Sequence, residues 1–231
     1  MKIAMISDTH TKHNEWYDNL SDDIKYDFDS ADVIIHAGDF TNVGSQHDVM
    51  VFLSWFEDRP NKHKICIAGN HDFFFDFNRP LDHKQPIART QDDIDDVLAL
   101  FPGVTYLEDS AIVIDGVKFY GSPITKWFYD WAFNERPGDA INKYWDMIPE
   151  DTNVLITHGP PFGICDELDE GSVGDGDLLH AIDRVKPDVH VFGHIHEGYG
   201  MKMVNDTTFV NCSSLTGDYY IGNDPQILFY F

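Results

Sequence analysis

Cysteine and basic charge are both scarce in this chain. Three cysteines, Cys66, Cys165 and Cys212, are spread over 231 residues without a C-x-x-C pair. That argues against a disulfide scaffold and predicts reduced structural thiols of a cytoplasmic protein. No apolar run approaches the roughly 20 residues that a bilayer span requires. The short run Ile3–Ile6 is too brief for the h-region of a signal peptide. Internal repeats, low-complexity tracts and Gly/Ser/Pro-rich linkers are missing, so one domain over residues 1–231 is expected. Sixteen Lys+Arg stand against 40 Asp+Glu, a formal charge of −24. Such a field repels polyanions and anionic lipid, which disfavours long nucleic acid and membrane as partners. It leaves fold and oligomeric state undetermined.

What the chain does have is a recurring local pattern. Short runs rich in Ile and Val end directly in polar residues of one chemical kind. Lys2–Ser7 leads into Asp8-Thr9-His10, and Val33–Ala37 into Gly38-Asp39. Lys64–Ala68 leads into Gly69-Asn70-His71-Asp72, Asn153–Thr157 into His158-Gly159, and Val189–Phe192 into Gly193-His194-Ile195-His196. Consecutive apolar positions over four to six residues predict strands buried on both faces. Amphipathic patterns predict helices over Gln46–Phe56, Gln91–Leu100, Ala140–Met147 and Gly176–Val185, the last with Asp177 as its cap. Asp115-Gly116 and Asn205-Asp206 predict hairpins, and the C-terminal QILFYF a last strand. The sum is an α/β layered domain with two mixed sheets.

In such folds ligands gather beyond the carboxyl ends of strands. Here five strand ends supply metal-ligating residue types: Asp8, His10, Asp39, Asn70, His158, His194 and His196. Carboxylate, imidazole and amide donors without thiolate favour Mn, Fe, Zn, Co or Ni. Seven ligands suit two ions that share a carboxylate and retain open positions. Two ions about 3.5–4 Å apart clamp an in-line displacement at phosphorus, with bound hydroxide as the attacking group.

Taken in order, D-T-H, G-D, G-N-H-D, H-G and G-H-I-H resemble the motifs of the calcineurin-like metallophosphoesterases. The resemblance covers positions 8 to 196 and implies a four-layer α/β/β/α sandwich. It further implies that Asp8, His10, Asp39 and His196 hold one metal, that Asp39 bridges, and that Asn70, His158 and His194 complete the second. His71 matches the family's catalytic histidine, which protonates the leaving oxygen, and Asp72 would orient its imidazole. The flanks HAGDFT, IAGNHD, GSP, WAF, THGPP and FGHIHEGYG look like the metallophosphoesterase-domain cyclic-nucleotide phosphodiesterases. Asp72 stands where that subfamily often has glutamate. The implied activity is hydrolysis of small phosphodiesters, with cyclic nucleotides a candidate class and two divalent ions, Mn foremost, as cofactors. A phosphomonoesterase or protein phosphatase with the same metals is the alternative, and a non-catalytic binding scaffold a more distant one.

Other residues take plainer readings. His36, inside a strand, is expected to be a buried histidine supporting Asp39 from behind. His13, His47, His63, His83, His180 and His190 read as surface or packing residues. Asp92, Asp93, Asp95 and Asp96 read as a solvated helix face, and Asp166, Glu167, Asp169 and Glu170 as a flexible acidic loop. The segment WFYDWAF, Trp127–Phe133, reads first as core packing or a subunit contact and second as a wall for a nucleobase.

Overall fold

The structure is a computed structural model and describes residues 1–77 and 90–230; His83 lies outside them. Two large sheets carry the chain. The first orders Gln226–Phe229, Lys2–Ile6, Val33–Ala37, His63–Ile67 and Thr105–Tyr106. Its members run parallel except Gln226–Phe229, which pairs antiparallel with Lys2–Ile6. The second orders Gly200–Val204, Thr207–Asn211, Val189–Phe192, Val154–Thr157, Val117–Ser122 and Ser110–Ile114. Its three inner pairings are parallel, and both outer pairs are antiparallel hairpins. Asp115 and Gly116 both take positive φ, 50° and 86°, as a two-residue hairpin turn requires.

Strand alternation sorts the core. Ile3, Met5, Val33, Ile35, Ile65 and Ile67 meet Phe119, Val154, Ile156, Val189 and Val191 between the sheets. Residues of opposite parity, such as Ala4, Ile34, Cys66, Leu155 and Phe192, pack with the helices outside. This is the expected four-layer α/β/β/α sandwich with two mixed sheets.

The helices follow their caps. Ser45 caps Gln46–Glu57 by accepting from the Asp48 amide, and the helix buries Val49, Phe52, Leu53, Trp55 and Phe56. Thr90 and Asp93 form a reciprocal capping box at the start of Gln91–Leu98. Gly176–Val185 has its expected bounds, but its cap is Asp175, whose side chain accepts from the Asp177 amide. Two short helices, His13–Asn19 and Asp22–Asp29, escape the sequence pattern. They bury only His13 and Trp16 in one and Phe28 in the other. So few apolar positions leave no readable period.

Candidate metal centre

All seven expected ligands converge where the carboxyl ends of the two sheets face each other. The backbone turns sharply there: Asp8, His10, Asp39 and His194 have φ of 52°, 40°, 57° and 67°. Left-handed backbone costs a non-glycine residue about 1–2 kcal/mol. Bonds across the turns offset that cost: Asp8 N to Gly38 O at 2.9 Å and His10 N to Asp39 O at 3.0 Å. The His194 amide donates to the Asp8 carboxylate at 3.0 Å. Two glycines of the motifs are steric necessities: a Cβ on Gly69 would collide with the Asp39 carboxylate, and one on Gly193 with Ser7 and Asp8.

Three side-chain groups could each hold a metal ion: Asp8, His10 and His196; Asp39, His158 and His194; and His10, Asp39 and His71. Asp39 lies at their junction. Its Oδ2 is 3.2 Å from His158 Nε2, 3.8 Å from His10 Nε2 and 3.9 Å from His71 Nε2. Asn70 Oδ1 is 3.0 Å from His158 Nε2, and His196 Nε2 is 3.4 Å from Asp8 Oδ1. Backbone carbonyls aim the rings. His158 Nδ1 donates to Ala37 O at 2.9 Å, His196 Nδ1 to Thr216 O at 2.9 Å and His71 Nδ1 to Asn42 O at 2.7 Å. Each bond turns Nε2 toward the centre, as in metal-ligating histidines. Ser213 donates to Asp8 Oδ2 at 2.9 Å, and Ser7 donates to the same oxygen.

Charge tells the same story. Burial opposes ionisation of Asp8, yet His196, His158 and His10 hold its carboxyl well below the usual range. Burial likewise opposes charge on Asp39, and His158, His71 and His10 overcome it. Burial works against charge on His158 and His196 too, but Asp39 raises the first to about 9 and Asp8 the second to about 9. Burial keeps His10 and His194 neutral, at about 4 and about 3. Two buried carboxylates held ionised beside two neutral imidazoles make a centre suited to positive charge. Divalent ions fit this centre: both ring nitrogens of His10 are buried without a hydrogen-bond partner, and the available ligand atoms are imidazole nitrogens, carboxylate oxygens and the Asn70 amide oxygen.

Several expectations need correction. Asp72 does not orient His71, whose ring partner is the Asn42 carbonyl. Asp72 is buried beneath the centre and accepts from the amides of Gly69, Asp39 and Thr41 at 2.9, 2.8 and 2.9 Å, and from the Thr41 hydroxyl at 2.7 Å. It fastens the Gly38-Asp39 turn to the Gly69–Asp72 turn and so positions Asp39. Burial, then the nearby Asp39 charge, raise its pKa to about 7. His36 is buried as expected, but it bonds Thr9 Oγ1 at 3.0 Å and not Asp39. The acidic loop is structured: Asp166 is buried and accepts from the Gly163 and Gly174 amides, and Glu167–Leu168 pairs with Gly171–Ser172.

The aromatic segment divides. Ala132 and Phe133 are core. Trp127, Phe128, Tyr129 and Trp131 line a cavity of about 820 Å³ that opens beside Asp39, Asn70, His71, His194 and His196. Trp131 lies over the His71 ring, centroids 4.3 Å apart, and Phe128 meets His194 edge-on at 5.1 Å. The Arg136 guanidinium braces Trp127 from 4.9 Å. Sequence reasoning missed Asn42, Thr216, Ser213 and Tyr219. Only Tyr219 had a readable signal, as part of an aromatic pair in a polar, glycine-bearing loop.

Comparison with known proteins agrees with this geometry. A family model described as calcineurin-like phosphoesterase matches residues 1–198. Human metallophosphoesterase domain-containing protein 1 is 37% identical, over 98% of this chain and 70% of that protein. The UPF0046 protein K07C11.7 of Caenorhabditis elegans is 35% identical, over 100% of this chain and 75% of that protein. The crystal structure of TT1561 of Thermus thermophilus superposes with a TM-score of 0.63, over 91% of this chain and 88% of that one. At 13% identity that likeness is one of fold.

Proposed function

The chain belongs to the calcineurin-like phosphoesterase family, and on that premise we propose a dimetal phosphodiesterase for small phosphodiesters, cyclic nucleotides among them. The family is one of metal-dependent phosphoester hydrolases. The observation that carries the finer reading is the cavity: its aromatic wall adjoins a cluster of candidate metal ligands built around Asp39. In our assignment Asp8, His10, Asp39 and His196 would hold one ion, and Asp39, Asn70, His158 and His194 the other, with Mn the preferred metal. When bound, two such ions polarise the phosphoryl oxygens and supply a nucleophile at neutral pH.

The chain's own residues do the rest. His71, braced by Asn42 and Trp131, gives a proton from Nε2 to the leaving oxygen. Asp72 keeps the Asp39 turn in place. Trp127, Phe128 and Tyr129 receive the organic part of the ester. Lys126 is the one lysine or arginine among the described residues lining the cavity, and its ammonium already donates to Val173 O and Gly174 O. A diester, with one charge at phosphorus, asks less of such a wall than a doubly charged monoester or a polyphosphate. No helix among the described residues is long and apolar enough to cross a membrane. The three cysteines are free, which suits a reducing compartment, and on that basis we place the protein in the cytoplasm.

A substrate panel tests the reading. With Mn²⁺, bis-p-nitrophenyl phosphate should be hydrolysed faster than p-nitrophenyl phosphate, chelator should stop both, and long DNA should be cut poorly at low salt. A preference for the monoester would replace the diesterase reading with the phosphatase one.

The wall carries a sharper test. Base–aromatic stacking is worth about 1–3 kcal/mol per base. Trp127→Ala should therefore lower kcat/KM for a cyclic nucleotide roughly 5- to 150-fold. Methyl p-nitrophenyl phosphate, with less surface to stack, should be nearly unaffected. Trp131→Ala should slow every substrate, because Trp131 backs His71. Equal losses on both substrates from Trp127→Ala, with a lowered Tm, would return Trp127 to a packing role.

A further inference from the structure

Tyr219 stands apart among the described tyrosines. It sits at φ 61°, a region where a bulky side chain is an outlier and where such outliers gather at functional sites. The turn that imposes this conformation is closed twice: the Tyr219 amide donates to Thr216 O at 2.8 Å, and the Thr216 amide to Tyr220 O at 2.8 Å. Lys12 Nζ holds the Tyr219 carbonyl at 2.6 Å from the opposite side. The same Thr216 carbonyl takes the Nδ1 proton of His196, so one turn sets both a ligand imidazole and the tyrosine.

The ring of Tyr219 meets His10 and His196 at centroid distances of 5.0 Å each, and it lines the cavity together with Asp39, His71 and Phe128. Tyr17, Tyr106, Tyr144, Tyr199 and Tyr230 all spend their hydroxyls on protein acceptors. Tyr26, Tyr120, Tyr129, Tyr219 and Tyr220 have no such partner among the described residues, and of these five Tyr219 is the one whose ring meets two candidate ligands. A phenol, with an ordinary pKa of about 10, carries a proton at neutral pH and has one hydrogen bond to donate.

We propose that Tyr219 is a catalytic residue whose phenol donates a hydrogen bond to a non-bridging phosphoryl oxygen of the substrate, roofing the centre over His10 and His196. This rests on the phosphoesterase reading of the site but not on the diester preference. A positioned donor at an oxygen that gains charge is useful because it is already oriented when the charge develops.

The test uses the full-length, Mn-loaded protein. Tyr219→Phe keeps the ring against the two histidines and removes only the donor. Metal content and Tm should stay as in the wild type, while inorganic phosphate binds roughly 10- to 100-fold more weakly by calorimetry. kcat/KM for methyl p-nitrophenyl phosphate should fall on the same scale. Tyr219→Gly, which takes the left-handed backbone freely, should fold and bind phosphate no better than Tyr219→Phe. Unchanged phosphate affinity in Tyr219→Phe, or loss of metal from it, overturns the assignment. If phosphate binding weakens as stated while the wild type prefers monoesters, the diesterase reading falls and the role of Tyr219 stands.

Discussion

Replacing Asp39 by alanine is expected to remove metal and activity together. Asp39 faces His158, His10 and His71 within 3.2–3.9 Å and belongs to two of the three candidate metal groups. In our assignment it is the single ligand shared by both ions. Loss of an outer partner of a metal ligand typically costs 10–100-fold in affinity or activity; loss of the shared ligand should exceed that range. Asp39→Asn, which keeps size but not charge, should bind metal better than alanine and still far below wild type. Elemental analysis of the purified variants, set beside turnover of bis-p-nitrophenyl phosphate, checks the expectation. Two ions per chain and a near-wild-type rate in Asp39→Ala would show that the dimetal assignment is wrong.

His71→Ala should separate metal binding from chemistry. His71 lies within reach of His10 and Asp39, but its Nδ1 is spent on Asn42 O, and its ring packs against Trp131 and stands perpendicular to His10. That bracing suits a ring that must present Nε2 to a substrate atom. The variant should keep both ions and lose roughly 10²–10⁴ in rate, the scale of a positioned acid. Esters with a p-nitrophenolate leaving group need little protonation and should lose least, whereas alkyl leaving groups should lose most. An equal loss across leaving groups would reduce His71 to a phosphate-positioning role. A lost ion would instead make it a ligand.

Asp72 shows why a motif assigns residues more readily than roles. The spacing G-N-H-D puts Asp72 next to His71, and adjacency suggests a partnership. The polypeptide instead turns so that Asp72 points into the protein and takes the amides of Gly69, Asp39 and Thr41. His71 faces outward to the Asn42 carbonyl. The aromatic segment taught a similar lesson. Trp127 and Trp131 are four positions apart and chemically alike, yet one lies against Arg136 and the other against His71.

The two mixed sheets, the hairpin at Asp115-Gly116 and the seven candidate ligands were legible in the residues alone. Their signals are local: buried strands must be apolar at consecutive positions, and the residue types that follow are fixed by chemistry at the strand end. Tertiary structure alone decided which atom each side chain meets. Tyr219 reaches His10 and His196 because the turn at Thr216–Tyr220 closes over strand ends from the other end of the chain. His36 bonds Thr9 because parallel register sets Ile6 beside it. Such partners depend on register, loop closure and backbone handedness between distant segments, and none of these leaves a periodic trace in sequence.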